Sequence, residues 1–165
     1  MSSTHPTLHM LCGKIAAGKS TLASSLANRS GTVLIAEDDW LSALFADELH
    51  SLSDFVRCTK NLRNVLGPHI VSLLNAGVTV VLDFHANTIE SRAWMRGMLD
   101  KTDADHQLHV LEIPDALCLS RLRQRNTSGK HPFAPTEEQF HQFSRHYVPP
   151  SPDEGFHLVV HEKPA

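Results

Sequence analysis

The sequence predicts an α/β protein: a parallel sheet with helices packed on both of its faces. Two observations lead there. Five short apolar, β-branched runs alternate with six longer segments of helical periodicity, the arrangement of strand–helix–strand units. The third run, Val78-Thr79-Val80-Val81-Leu82, is almost wholly apolar, as an interior strand buried on both faces must be.

Strands are predicted at 7–12, 32–36, 78–84, 107–113 and 156–161, each a run of five to seven residues that draws on Val, Leu and Ile. Helices are predicted at 19–29, 39–49, 54–76, 88–102, 115–125 and 136–146. The second of these starts from Asp39 as its N-cap. The third, the longest, sets Phe55, Leu62, Leu66, Ile70 and Leu73 at helical spacing, and Gly67-Pro68 is expected to kink or split it. The polar stretch 126–135 reads as a loop, and Pro149-Pro150-Ser151-Pro152 as an extended connector. No repeat or low-complexity tract interrupts the pattern, so 1–165 is expected to form one domain.

A chain of 165 residues buries roughly 70% of its unfolded surface, enough for one core. Lys plus Arg number 15 against 18 Asp plus Glu, a formal charge of -3, so no general field draws the chain to nucleic acid or anionic membrane. Any polyanion site must be local. Cys12, Cys58 and Cys118 are odd in number and fall in one strand and two helices, which suits reduced core thiols. No signal-peptide pattern opens the chain and no apolar run is long enough to cross a membrane; a cytoplasmic location is expected.

Gly13-Lys14-Ile15-Ala16-Ala17-Gly18-Lys19-Ser20 matches G-x-x-x-x-G-K-[ST] between a predicted strand and a predicted helix, the context this phosphate-binding loop requires. Backbone N–H groups from Gly13, Ala16, Ala17, Gly18 and Lys19 onward can turn inward, and the helix N-terminus adds partial positive charge. The Lys19 ammonium suits the β and γ phosphates. Ser20 offers a hydroxyl to a bridging Mg²⁺, and Thr21 either reaches the α phosphate or stands on the helix surface.

Two further groups follow strand ends. Asp83 closes the third strand after apolar neighbours, the position of a carboxylate that holds Mg²⁺ directly or through water. A buried, unpaired charge there would cost several kcal/mol, so a purely structural role is hard to sustain. Asp38 and Asp39 follow the second strand; with Asp39 as helix cap, Asp38 is the candidate base for an acceptor hydroxyl, and the reverse assignment stays open. Glu37 is expected to point to the other side of the strand end.

Arg121, Arg123 and Arg125 end the fifth predicted helix. Arg121 and Arg125 share a face and are assigned to phosphate, while Arg123 is turned about 200° away. A solvated basic helix end is the alternative. His85, two residues beyond Asp83, is a candidate to touch substrate, with an ordinary polar strand end as the alternative. The twelve histidines show no zinc spacing, and His157 and His161 are expected to face outward from the last strand.

From Gly13 onward the motifs resemble small P-loop kinase-like ATP-binding proteins labelled AAA-type ATPases, a group similar to polynucleotide 5′-hydroxyl kinases, zeta toxins and chloramphenicol phosphotransferases. Gly13 to Ser20 resembles their nucleotide loop, and Glu37-Asp38-Asp39-Trp40 their acidic segment. Asp83, Asn87 and Arg92-Ala93-Trp94 resemble the polynucleotide-kinase segment after the third strand, Arg121 to Asn126 the lid, and Phe140 to Pro150 a helix with a Pro-Pro segment. The resemblance implies a P-loop NTPase three-layer sandwich with strand order 2-3-1-4-5, a short lid at about 121–135, and ATP as the nucleotide. Polynucleotide kinases place an arginine after the acidic-aromatic segment, where this chain has Leu41.

Together these readings predict an ATP- and Mg²⁺-dependent kinase acting on a hydroxyl of a small-molecule acceptor, with Lys19, Asp38, Arg121 and Arg125 as its catalytic residues. A nucleotide or nucleic-acid 5′-hydroxyl kinase, and a non-catalytic ATP-sensing module, are the alternatives.

Overall fold

The computed structural model describes residues 5–129 and 135–163. Strands β1 (Thr7–Cys12), β2 (Thr32–Ala36), β3 (Thr79–Asp83), β4 (Asp105–Leu111) and β5 (Leu158–His161) form one parallel sheet in the order β2-β3-β1-β4-β5. The order anticipated from the family resemblance is the one observed. β3 lies inside the sheet, as its apolar run requires, and β1 is the central strand.

Alternation along the strands divides the core into two layers. Leu8, Met10, Val80, Leu82, Leu108 and Val110 face one side, where α3 (Leu52–Asn75) and α4 (Ile89–Leu99) bury Leu62, Leu66, Ile70, Leu74, Met95 and Met98 against them. Leu11, Val81 and Leu111 face the other side, against Ala23 of α1 (Lys19–Ala27) and Cys118 and Leu122 of α5 (Asp115–Ser128); Phe140 of α6 (Glu137–Arg145) joins this second layer.

Several elements depart from expectation, and the starts of three of them and the continuity of α3 have physical reasons. The second helix, α2 (Glu37–Phe45), starts two residues early: β2 runs straight into it through an extended Ala36 at φ -106°, ψ 116°, with no side-chain cap. Asp39 is therefore inside the first turn and is not the N-cap. α3 is not split at Pro68; Gly67 lies so close to Trp94 that an added Cβ would sit 3.4 Å from its Nε1, and this packing carries the helix through. Ser51 caps α3 by accepting from Asp54 N–H. β4 begins at Asp105, whose N–H bonds Pro6 O at 3.0 Å, so two polar residues extend the strand.

Parallel strands put all their carboxyl ends on one edge. Cys12, Ala36, Asp83 and Leu111 end there, and Ala36 is in register with Asp83. The residues that follow each strand consequently meet in one cleft.

Candidate functional site

Gly13 to Ser20 link β1 to α1 in the shape the motif predicts. Ala16 (φ 62°) and Gly18 (φ 105°) both take left-handed conformations, and Ala17 N–H bonds Lys14 O at 3.1 Å, so the loop curls over the start of α1. A left-handed alanine costs about 1–2 kcal/mol and persists where the surrounding loop demands it. Gly13 is tightly enclosed: an added Cβ would stand 3.2 Å from Leu111 Cβ and would require that side chain to give by a few tenths of an ångström.

Lys19 is 7% exposed, and its Nζ donates to Gly13 O at 2.5 Å and Lys14 O at 2.9 Å. Desolvation lowers its pKa to about 8, against the opposing pull of Asp83 and Asp38. Its ammonium is thus held by main-chain carbonyls at the floor of the loop. Ser20 Oγ donates to Asp83 Oδ2 at 2.9 Å, so the two residues expected to meet Mg²⁺ already touch. Desolvation raises the Asp83 pKa; the Ser20 hydrogen bond and Lys19 oppose it. Thr21 is exposed on α1.

The acidic turn of α2 separates its three members. Glu37 is buried and turns toward α3, where its carboxylate accepts from Arg63 Nε at 2.9 Å. Arg63 also donates to Ser91 Oγ at 3.1 Å and lies 5.6 Å and 5.1 Å from the ring centroids of Phe84 and Trp94. Asp38, one residue on and about 100° around the helix, opens into the cleft. Its pKa is raised by desolvation and by the like charges of Glu37, Asp83 and Asp39, while Lys19 counters them. Asp39 lies beside it, and both are exposed to solvent. Asp38 is thus the acidic side chain coupled to both Lys19 and Arg125.

On α5 the three arginines part as helix geometry requires. Arg123 is exposed and pairs with Glu137 of α6. Arg121 and Arg125 are partly buried and close enough that Arg121 lowers the Arg125 pKa, after desolvation, while Asp38 raises it. Arg121 Nη1 and Arg125 Nε are buried with no hydrogen-bond partner among the described residues. A buried guanidinium N–H without an acceptor is a costly arrangement that an anion would relieve. Of the expected lid, 121–128 is helix; 130–134 lies outside the described residues.

Three arrangements escaped the reading of the sequence. Arg63, between Leu62 and Leu66 on the buried side of α3, carried a weak signal: a cation within an apolar stripe needs a partner, here Glu37. Asn87 bonds both main-chain groups of Gly13. His161, expected to face outward, instead contacts His109 at 2.9 Å, and His109 contacts His9 at 3.0 Å, so three imidazoles run diagonally across β5, β4 and β1. His157 is exposed as expected. Among the described residues no cluster of three or more His, Cys, Asp or Glu has the geometry of a metal site, and no helix is long and apolar enough to cross a membrane.

Comparisons with known proteins agree with this architecture. No curated protein sequence matches the chain. Solved structures share the fold: a Chloroflexus aurantiacus protein assigned as a kinase (TM-score 0.75, 19% identity, 96% of this chain and 85% of that one), Chaetomium thermophilum Kti12 in complex with ADP-AlF3 (0.69, 14%, 95% and 89%), and the Mycobacterium tuberculosis APS kinase CysC in complex with AMPPNP and APS (0.59, 20%, 94% and 88%). At these identities the likeness establishes a P-loop NTPase fold and nothing finer. A family model described as an AAA domain matches residues 8–150, and with the phosphate loop, the Asp83 strand end and the 2-3-1-4-5 sheet in place, the chain belongs to that AAA domain family.

Proposed function

We propose that the protein is a kinase that transfers the γ-phosphoryl group of ATP to a hydroxyl of a small-molecule acceptor. The observation that carries this reading is the convergence on one cleft of a phosphate loop, a carboxylate that acts on two of its cations, and two arginines that each hold one buried nitrogen with no acceptor among the described residues. A module that only sensed nucleotide would need the loop but not a carboxylate placed among its cations.

The residues divide the work by position. The Gly13 to Thr21 segment and the α1 N-terminus hold the phosphates, and Lys19 exchanges its two carbonyls for β and γ oxygens. Ser20 and Asp83 fit Mg²⁺: a hydroxyl and a carboxylate oxygen 2.9 Å apart are the hard donors this ion takes. Bound there, Mg²⁺ would neutralise charge on the β and γ oxygens. Asp38 accepts the proton of the attacking hydroxyl. Its raised pKa suits a base that must be ionised at neutral pH yet able to take a proton. Arg121 and Arg125 stabilise the charge that spreads over the transferred group.

The Glu37–Arg63 pair sits beside Asp38 and neutralises its own charge, so α2 and α3 present no free arginine from that pair to a nucleic-acid phosphate. This favours a small acceptor over a 5′-hydroxyl end. Incubation with ATP·Mg²⁺ and pooled metabolites, following ATP loss and an acceptor mass gain of one phosphoryl group, tests the proposal. ATP loss without any phosphorylated product would instead indicate an ATPase.

A further inference from the structure

The first residue of the phosphate loop is gripped from outside the loop. Asn87 lies between β3 and α4, four residues beyond Asp83. Its Oδ1 accepts from Gly13 N–H at 2.9 Å and its Nδ2 donates to Gly13 O at 2.9 Å. A carboxamide carries the same donor and acceptor as a peptide, so Asn87 acts as a substitute strand residue. It continues the pairing of β1 with β3: Ala86 N–H bonds Leu11 O at 3.0 Å, and the next contact along β1 is made by the Asn87 side chain.

Asn87 is itself fixed. Its main-chain oxygen accepts from Val148 N–H at 2.8 Å. The fully buried Arg92 bonds Ala86 O and Val148 O, both at 2.8 Å, and pairs with Glu154 at 2.7 Å. The 146–154 segment therefore braces the 84–88 loop, which in turn grips the phosphate loop.

Gly13 O has two donors, Asn87 Nδ2 and Lys19 Nζ. When Lys19 leaves for a phosphate, the buried carbonyl keeps Asn87 and is not stranded. We propose that Asn87 is a positioning residue for phosphate binding: it holds the Gly13 peptide in one orientation whether Lys19 rests on the loop or has turned to the ligand. The inference rests on the reading of this cleft as a triphosphate site.

Asn87→Ala removes both contacts. Asn87→Asp keeps the size and the acceptor but sets a carboxylate oxygen against Gly13 O. Titration calorimetry with ATP·Mg²⁺ and with tripolyphosphate·Mg²⁺, at a temperature where circular dichroism shows each variant folded, should find both ligands weakened about 10-fold or more, and by the same factor, since a stranded buried carbonyl costs that much. Asn87→Asp should lose at least as much as Asn87→Ala. A lowered melting temperature with unchanged affinity for both ligands would overturn the inference and leave Asn87 a purely structural contact. Failure of the unmodified protein to bind either ligand would overturn the triphosphate reading itself; binding by the unmodified protein with unaltered variants overturns this inference alone.

Discussion

Ser20 and Asp83 touch: the hydroxyl in the first turn of α1 donates to the carboxylate that closes β3, at 2.9 Å. Two elements from different parts of the chain thus define one point in the cleft. Asp83→Asn preserves an oxygen acceptor for Ser20 and removes the charge, so it should raise the Mg²⁺ concentration needed for half-maximal phosphotransfer without unfolding the protein. A magnesium titration of the rate checks this; an unaltered midpoint would reduce Asp83 to a partner of Ser20.

Lys19 now rests on two main-chain carbonyls. Lys19→Ala should abolish turnover and weaken ATP more than ADP, because the ammonium is placed for the β and γ phosphates together. Calorimetric titration with both nucleotides measures the difference, and equal affinity losses would put Lys19 nearer the α phosphate.

Asp38 and Asp39 are adjacent in sequence but not in circumstance, since Lys19 and Arg125 both feel Asp38. Asp38→Asn should lower phosphotransfer by roughly 10² to 10⁴ while ATP·Mg²⁺ still binds. Asp39→Asn removes an exposed first-turn charge worth about 0.3–1 kcal/mol to the helix and should leave the rate nearly unchanged. Steady-state rates of the two variants decide; an inactive Asp39 variant would reverse the assignment.

Arg121 and Arg125 each carry a buried nitrogen with no acceptor among the described residues, whereas Arg123 is exposed and paired with Glu137. Alanine at 121 or 125 should cut the catalytic rate strongly, given that arginines in comparable roles are worth about 10³ to 10⁵. Arg123→Ala should change stability by no more than about 0.5 kcal/mol and leave the rate intact. Small, equal effects across the three variants would mark the end of α5 as a solvated basic surface.

The histidine diagonal makes an acid-stability prediction. Burial, then His9 and His161, lowers the His109 pKa to about 4 from an ordinary 6.5, and His9 is lowered too. The unfolded chain binds these protons first, so stability is full above about pH 6.5 and falls as the pH drops toward 4, by on the order of 3 kcal/mol for His109 alone. Melting temperatures from pH 7 to 4 should decline, and His109→Asn should flatten that decline. An equally steep decline in the variant would assign the acid sensitivity to other groups.

What the sequence reveals here follows from the range of each interaction. Gly13 to Ser20 is legible because the loop's chemistry is complete within eight residues, and Asp83 because a charge ends an apolar run. Arg121, Arg123 and Arg125 separate by helix geometry alone. The start of α2 was hidden because no side chain caps it: β2 simply turns into helix through Ala36. Glu37 and Arg63 are 26 residues apart and meet only once α3 docks. The histidines are separated by 100 and 52 positions and are joined diagonally by strand register, which no single strand's alternation encodes. An outward His161 was the natural reading of an isolated strand.

The bracing of Arg92 by Val148 and Glu154 also sets when this chain can finish folding. β1 is the central strand, yet both of its partners lie far along the sequence, β3 from Thr79 and β4 from Asp105. Without the 148–154 segment in place, a guanidinium that ends fully buried keeps only Ala86 O of its partners among the described residues. A chain in which Val148 and Glu154 were missing or undocked would bury an uncompensated charge and should stay open to proteases, so docking of this segment closes sheet and phosphate loop together. The phosphate loop is in this way locked by a segment about 130 residues away in sequence, so a chain cut between the two would not present a working nucleotide site.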